Sequence, residues 1–456
     1  MNHVTSQGLT PRMRPLSSRK SATLSILDIG TSKVVCLIAE LNPAEANERL
    51  RGRTHVARII GIGHQRSLGL KGGAIIDLES AEKAIRAAVD AAERMAKVEV
   101  QSVIVNLTGG RLASQHYAAS VDLRAGSVGD SDVKRVLAHA ATHALRPGKA
   151  VLHALPTGYA MDGVPGVLDP RGLIGSKLSV DMHVVASEAS AARNVMLAVE
   201  RCHLEVEAVV ATPYASGLSV LVDDEAEMGV VVVDMGGGTT SLGVFSGGHL
   251  MHADAIAVGG NHITMDVARG LSTRVAAAER LKTLHGSCIS SASDERDMIS
   301  VPQVDDDERD APNHLPKSQL VRIIKPRVEE ILELVRDRLT QAGFSAQAGR
   351  RVVLTGGACQ LTGLPEVARR ILGGQVRTGR PLGIKGLPEA GKGPAFAASV
   401  GLLVYPQVAH VEHFEPRAGQ AYFATGTDGY FSRVGRWLKE RFLIGRRDAA
   451  TRSNTV

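Results

Sequence analysis

Apolar residues in this chain fall into short runs that stop at glycine-rich turns, the pattern of buried strands in a mixed α/β protein. Val230 to Val233 is one such run; it ends at Asp234, passes through Gly236, Gly237, Gly238, Thr239 and Thr240, and resumes as apolar sequence to Phe245. The same design stands near the N-terminus: Asp28 ends a run from Leu24, Gly30, Thr31, Ser32 and Lys33 make the turn, and Val34 to Ala39 return. A third run, Arg351 to Thr355, leads through Gly356, Gly357, Ala358 and Leu361 into helix-like sequence and carries no acid. Elsewhere the period changes. Leu78 to Ala96 is alanine-rich with helical spacing, Ser131 opens a helix to Leu145, and Ser318 to Ala342 reads as one helix interrupted by Pro326. Val100–Gly109, His116–Leu123 and Lys149–Gly163 read as strands, the last with a turn.

Glycines strip the Cβ atoms from a turn, so backbone N–H groups converge on an anion without obstruction. An acid at a strand tip holds Mg²⁺ through the water shell that this ion keeps. Strand, acid, glycine turn and return strand together describe a phosphate hairpin; taken singly, each is also an ordinary tight turn. Two acid-tipped hairpins far apart in sequence imply two similar halves closing on one nucleotide. The third turn suits a neutral ribose or base. No G-x-x-x-x-G-K-[ST] follows a strand, so this is not a P-loop. Gly259, Gly260, Asn261 and His262 open a further helix, and Glu279 and Lys282 on the next one share a face at a spacing of three. That spacing by itself is more often a surface ion pair than a ligand grip.

The motifs Asp28–Lys33 (DIGTSK), Asp234–Thr240 (DMGGGTT) and Leu354–Leu361 (LTGGACQL) resemble, in this order, the phosphate-1, phosphate-2 and adenosine motifs of the actin and heat-shock ATPase superfamily. Gly393–Leu403 looks like its second inter-domain connecting helix, and the first is expected near Ser190 to Cys202. Within the superfamily the chain resembles most the FtsA family of bacterial cell-division proteins, from about Leu24 to Tyr405 and again in the last twenty-odd residues. GGNHIT, AERLK and IIKPR strengthen the match.

The resemblance implies a two-lobed actin-like fold with ATP and Mg²⁺ in the cleft. Asp28 and Asp234 would hold the metal through water. Gly30, Thr31, Ser32, Lys33, Gly236, Gly237, Gly238, Thr239, Thr240, Gly260, Glu279, Lys282, Gly356, Gly357, Ala358 and Leu361 would line the nucleotide. The first lobe is expected at 23–97 and 178–225, with a subdomain inserted at 98–177 that the family uses in self-association and in contacts with later divisome proteins. The second lobe is expected at 226–261 and 346–405, with a small subdomain at 262–345 that receives the C-terminal tail of the tubulin-like FtsZ, Arg327 and Glu330 falling on the contact positions. Two departures weaken hydrolysis: Thr212 and Pro213 stand where an acid often stands in relatives, and Ser241 follows Thr240 where many have Asp. Tight ATP binding with weak or no turnover is the expectation.

Composition changes the picture mainly at the end of the chain. With 456 residues, 44% hydrophobic and 22% charged, the chain is an ordinary globular protein of two to four domain-sized units. Its four cysteines are scattered without metal or disulfide spacing, and no 18-residue apolar span is evident. Residues 1–22 read as a disordered tail and 406–429 as a flexible linker. Tyr430 to Arg447 then carries six basic side chains against the single acid Glu440. Read as a helix over 430–445, it stacks Phe431, Val434, Leu438 and Phe442 on one stripe, with Trp437 on its shoulder and Lys439 and Arg441 at its rim. Such a helix lies in an anionic lipid headgroup layer, and the FtsA family carries a targeting helix there. The body shows no aromatic-studded basic face, which argues against nucleic acid. The reading is therefore a peripheral protein on the cytoplasmic face of the inner membrane at the septum, anchoring the FtsZ ring and self-associating into actin-like filaments. A pilus-assembly relative and a sugar or acid kinase of the same superfamily are the alternatives.

Overall fold

The computed structural model describes residues 16, 19–45, 50, 52–109, 111–124, 126–142, 146–303, 313–348 and 350–412. The helix expected over 430–445, with Phe431, Val434, Trp437, Leu438, Lys439, Arg441 and Phe442, lies outside the described residues, as does most of the tail expected over 1–22.

The first hairpin forms as its pattern predicts. β1 (Ala22–Ile29) and β2 (Lys33–Pro43) pair antiparallel with Ile29 opposite Val34, and β3 (His55–Arg66) pairs beside β2. Leu24, Ile26, Leu27 and Val34 to Ala39 are all buried, so this sheet needs cover on both faces. α1 (Leu78–Ala96) supplies one cover. Asp77 caps it by accepting from the Glu79 and Ser80 amides, and Ala81, Ala84, Ile85, Ala88, Val89 and Ala92 form its buried stripe. It approaches β3 so closely that a Cβ on Gly63 would sit 1.7 Å from the Ala88 carbonyl oxygen.

β4 (Ser102–Leu107) runs parallel to β1 and belongs to the same sheet, not to the inserted subdomain expected from residue 98. The insert follows as β5 (Ala113–Asp122), α2 (Asp130–Thr142), β6 (Lys149–Met161), β7 (Val164–Val167) and β8 (Lys177–Glu188). Its sheet has the order β5-β8-β6-β7, with a core of its own that includes Val133, Val136, Leu178, Val180 and Met182. The insert therefore spans about 113–188 instead of 98–177. Val103 to Leu107 is buried throughout and pairs with β1, whereas Lys177–Glu188 pairs along its length with both β5 and β6. α3 (Ala189–Glu200) and β9 (Glu205–Ala211) return the chain to the first lobe, and α4 (Thr212–Val220) leaves it.

The second lobe opens with β10 (Val230–Met235), β11 (Thr240–Ser246) and β12 (His249–Ile256), then α5 (Gly260–Gly270) and α6 (Val275–His285). α7 (Lys317–Gln341) continues through Pro326 without a break. β13 (Arg351–Thr355), α8 (Leu364–Leu372), β14 (Gln375–Thr378), β15 (Ile384–Lys385) and α9 (Ala397–Val408) complete the described chain. Among the described residues the first-lobe sheet has the order β9-β4-β1-β2-β3-β15 and the second-lobe sheet β12-β11-β10-β13-β14. β15 thus crosses back to edge the first sheet. The insert rests on the second lobe through imidazoles: His183 Nδ1–H donates to the Leu250 carbonyl at 2.7 Å, and burial holds its pKa at about 3, so the ring is neutral.

The two helices between the lobes are α4 and α9. The first connecting helix was expected at Ser190 to Cys202, but α3 there keeps Arg193, Asn194 and Leu197 exposed and packs on α1 and β9. α4 is buried almost all round, as is α9, and the two cross tightly: a Cβ on Gly401 would meet the Ala215 carbonyl oxygen at 1.8 Å. The stretch Pro394–Val411 spans 18 residues at a mean hydropathy of 1.2, enough to cross a membrane by length and composition. This corrects the expectation that no such span exists; 67% of it is buried inside the protein, and its apolar character serves the packing between the lobes. Pro406 lies inside α9, and the chain to Glu412 stays packed on the body where a linker was expected to begin.

One buried acid of the first lobe has no catalytic setting. Glu207 on β9 is 1% exposed, accepts from Ser102 Oγ at 2.5 Å with one oxygen and has no partner for the other. Burial pushes its pKa up to about 7, with Glu205 adding repulsion and Ser102 opposing the rise. The unfolded chain ionises near 4.5 and the folded chain near 7, so stability falls as pH rises through this window and stays lowered above it. Glu207→Gln should remove that slope, gaining on the parent by up to about 3 kcal/mol between pH 5 and pH 8. Thermal unfolding at both pH values checks it; equal shifts at the two would sink the assignment.

Candidate functional site

Where the two lobes face each other they enclose a cavity of about 560 Å³. Asp28, Gly30, Thr31, Ser32 and Lys33 line it from the first hairpin, and Asp234, Gly236, Gly237 and Thr239 from the second. Gly260, Glu279 and Lys282 contribute from α5 and α6, and Gly356, Gly357, Ala358 and Leu361 from the third turn. Two expected residues are not on its wall. Thr240 turns inward and donates to the Val258 carbonyl at 2.8 Å, which ties the second hairpin to the loop before α5. Gly238 faces Thr31 of the opposite hairpin, where a Cβ would sit 2.5 Å from Oγ1; at Gly237 a Cβ would sit 1.8 Å from Ser32 Oγ. These glycines therefore let the two hairpins touch, beyond any role in exposing N–H groups. Ser32 Oγ adds a hydrogen bond to Asn261 Oδ1 at 3.1 Å across the same gap.

The hairpin acids are held by residues the motifs did not include. Asp28 accepts from Asn106 Nδ2 at 2.7 Å and from Ser399 Oγ at 2.6 Å. Asp234 accepts from Ser216 Oγ. Burial raises the pKa of both, that of Asp234 to about 6, where Ser216 and Lys33 oppose the rise and the Asp28 charge adds to it. Lys33 is pushed down by burial and supported by the charges of Asp28 and Asp234. Its ammonium donates to the Ala395 carbonyl at 2.6 Å and lies 3.6 Å from the Phe396 ring centre. Thr108 and Thr212 share a hydrogen bond of 2.6 Å beside Asn106. The Ser241 hydroxyl, also on the wall, is buried with no partner.

The groups that could face an ion are oxygens on two carboxylates and on hydroxyls, the hard set that suits a hydrated Mg²⁺. Among the described residues no three His, Cys, Asp or Glu side chains converge as a direct metal cage. The site thus fits an ion that Asp28 and Asp234 would hold through water. At the opposite wall, Lys282 donates to Glu279 at 2.6 Å, to Thr264 Oγ1 at 2.8 Å and to the Gly260 carbonyl at 3.1 Å. Glu279 and Lys282 are therefore a cavity pair and not a remote surface pair. Asn106 is absent from the motifs, yet it is a polar residue near the end of an apolar strand, at the end of a parallel sheet strand where ligands collect.

Arg327 and Glu330 lie outside the cavity on α7. Arg327 is bonded to Asp266 of α5 at 2.5 Å and also to Glu330. Its charge is already paired, a fact local spacing did not reveal for Asp266. Beside it, α5 exposes Met265 and Arg269 one turn apart, and α7 exposes Arg322.

A family model described as "Cell division protein FtsA" matches residues 231–401, and one described as "SHS2 domain inserted in FTSA" matches residues 109–186. The latter agrees with the shifted limits of the insert. The chain is 54% identical over 433 residues to "Cell division protein FtsA" of Rhizobium meliloti (strain 1021), covering 95% of this chain and 98% of the relative. To the protein of that name from Escherichia coli (strain K12) it is 34% identical over 423 residues, covering 91% and 97%. Among solved structures, the "PilM-PilN type IV pilus biogenesis complex" aligns at a TM-score of 0.57 and 17% identity, covering 87% of this chain and 100% of that one. "MreB 5 of Spiroplasma citri bound to AMPPNP" aligns at 0.50 and 14% identity, covering 85% and 97%. These two likenesses show the actin-like fold alone. With an acid-tipped hairpin in each lobe, an inserted subdomain in the first, and extensive identity to relatives of one name, the chain belongs to the FtsA family of cell division proteins.

Proposed function

We propose that the protein is a membrane adaptor of cell division that binds ATP–Mg²⁺ between its lobes, attaches by its C-terminal segment to the cytoplasmic face of the inner membrane at the septum, and anchors FtsZ filaments there. The observation that carries the nucleotide reading is the meeting of Asp28 and Asp234 at one cavity with Lys33 between them. When bound, Mg²⁺ would supply positive charge against that of the phosphates. Asp28 and Asp234 would hold it through water, and Glu279 and Lys282 would take ribose and base. The AMPPNP bound to the MreB neighbour supports the same reading.

Turnover is slow or negligible on this account. Hydrolysis needs a group that orients the attacking water. Thr212 stands in that position, and its hydroxyl is engaged with Thr108 and Asn106. The nucleotide then acts by favouring the lobe arrangement it contacts best. For the FtsZ tail, Arg327 and Glu330 mark the site, and the exposed Arg269, Arg322 and Met265 offer positive charge and an apolar contact to an acidic peptide. The insert serves self-association into actin-like filaments and contacts with later divisome proteins.

Flotation on anionic vesicles with ATP–Mg²⁺ and fluorescent FtsZ tests the adaptor role. The full chain should rise and carry FtsZ with it, and a chain ending at Gly429 should leave both below, since each basic residue at an anionic surface adds about 1 kcal/mol. A protein that floats without FtsZ would favour the pilus-type alternative. If neither floats, the adaptor role is wrong.

A further inference from the structure

Each hairpin acid of the cavity is tied by one buried hydroxyl to one of the two crossing helices. Asp28 ends the first-lobe strand β1, and the Ser399 hydroxyl that donates to its Oδ2 at 2.6 Å sits in the first turn of α9. Asp234 lies at the end of the second-lobe strand β10, and the Ser216 hydroxyl that donates to its Oδ2 sits on α4. α9 follows the second lobe in the chain yet packs on the first-lobe sheet; α4 follows the first lobe yet packs mainly on the second-lobe sheet. The arrangement therefore repeats with the lobes exchanged.

Both serines are 0% exposed, and both acids nearly so. A hydroxyl has one proton to donate. Placing it on a carboxylate that also faces the cavity sets the plane of that carboxylate. Asn106 Nδ2 fixes the second oxygen of Asp28, while Asp234 Oδ1 lies against the third turn, where a Cβ on Gly356 would be 2.4 Å away. Ser216 is next to Ala215, whose carbonyl abuts Gly401 at the crossing, and Ser399 is two residues before Gly401. Acid, serine and helix crossing are thus contiguous in both halves.

We infer that Ser216 and Ser399 are paired positioning residues: they orient the two acids toward a hydrated divalent cation and pass occupancy of that site directly to the crossing of α4 and α9. This rests on the ATP–Mg²⁺ reading of the cavity and names the residues through which that ligand reaches the crossing of the two helices. A packing role alone would leave the metal dependence of binding untouched, because it would lower affinity with and without the ion together.

The test is the ratio of ATP affinities measured by calorimetry in Mg²⁺ and in EDTA, for the full chain and for Ser399→Ala, Ser216→Ala and the pair. Ser399→Cys serves as a near-isosteric variant with a weak donor. Hydrogen bonds to charged groups support an expected drop in that ratio of about tenfold or more in each single variant. Hydrogen exchange of the Val400–Tyr405 amides provides a second readout: Mg²⁺–ATP should slow it in the parent and not in the variants. A ratio unchanged by the substitutions overturns the inference, whether or not both affinities fall. A parent that binds ATP with no dependence on Mg²⁺ also overturns it while the ATP reading survives. A parent that binds no ATP overturns the reading of the cavity as well.

Discussion

Gly401→Ala should unfold the protein at markedly lower urea concentration, with a loss of about 3 kcal/mol or more, at the upper end of what overpacking a core costs. The reason lies in the partner atom. A Cβ at this position meets the Ala215 backbone oxygen at 1.8 Å and its carbonyl carbon at 2.3 Å, so no side chain can rotate to make room. One of the two helices has to move. Each packs mainly on a different lobe's sheet within one core that the lobes share, so displacement disturbs both sheets. Gly158 is the control: a Cβ there meets nothing within 4 Å, and Gly158→Ala should change stability by no more than about 0.5 kcal/mol. Equal midpoints for the two variants would show that the crossing yields more easily than its geometry indicates. A Gly401→Ala protein that folds should also lose the Mg²⁺-dependent part of ATP affinity, because the serines that hold the acids sit beside the crossing.

The second large effect is expected at His153 and Glu412. Both side chains are 0% exposed. His153 Nε2 accepts from the Ala211 amide at 2.9 Å, which places the ring proton on Nδ1, 3.1 Å from both Glu412 oxygens. The Tyr405 hydroxyl also bonds Glu412, and burial followed by the Glu412 charge holds that phenol well above its usual range. His153→Ala would leave a buried carboxylate and the Ala211 amide without their partner, at a cost of about 3 to 5 kcal/mol. Glu412→Ala would strand the imidazole N–H instead and should cost less, about 1 to 3 kcal/mol. The double variant should be less destabilised than the sum, by a coupling that chemical denaturation across the four proteins measures. Strict additivity would mean that the pair contributes nothing as a pair. Glu412 thereby ties β6, through His153, to α9, through Tyr405.

Much of the site could be read from local pattern because its parts are local. An acid at the end of an apolar run followed by glycines closes a hairpin through neighbouring residues alone, and β1–β2 and β10–β11 pair in the register this implies. Helix spacing likewise placed Glu279 and Lys282 on one face, and α7 tolerated Pro326 within a single helix. The membrane-directed helix over 430–445 remains a reading of sequence pattern, since it lies outside the described residues.

What the chain by itself determined, then, is the two hairpins, the third turn, the α/β class and the presence of an insert. Only the tertiary structure decided which strands share a sheet, which helices join the lobes and which side chains hold the acids. Parallel pairing of β4 with β1 joins segments with no turn between them, so nothing local marks the limit of the insert. Helical periodicity marks α3, with one buried face, but not α4, which is buried on nearly every side, so local pattern pointed to the wrong helix for the crossing. Ser399 reaches Asp28 across 371 positions, and a lone serine in an apolar helix has no pattern of its own. Long-range contacts depend on how whole faces pack, and that information belongs to no single stretch of the chain.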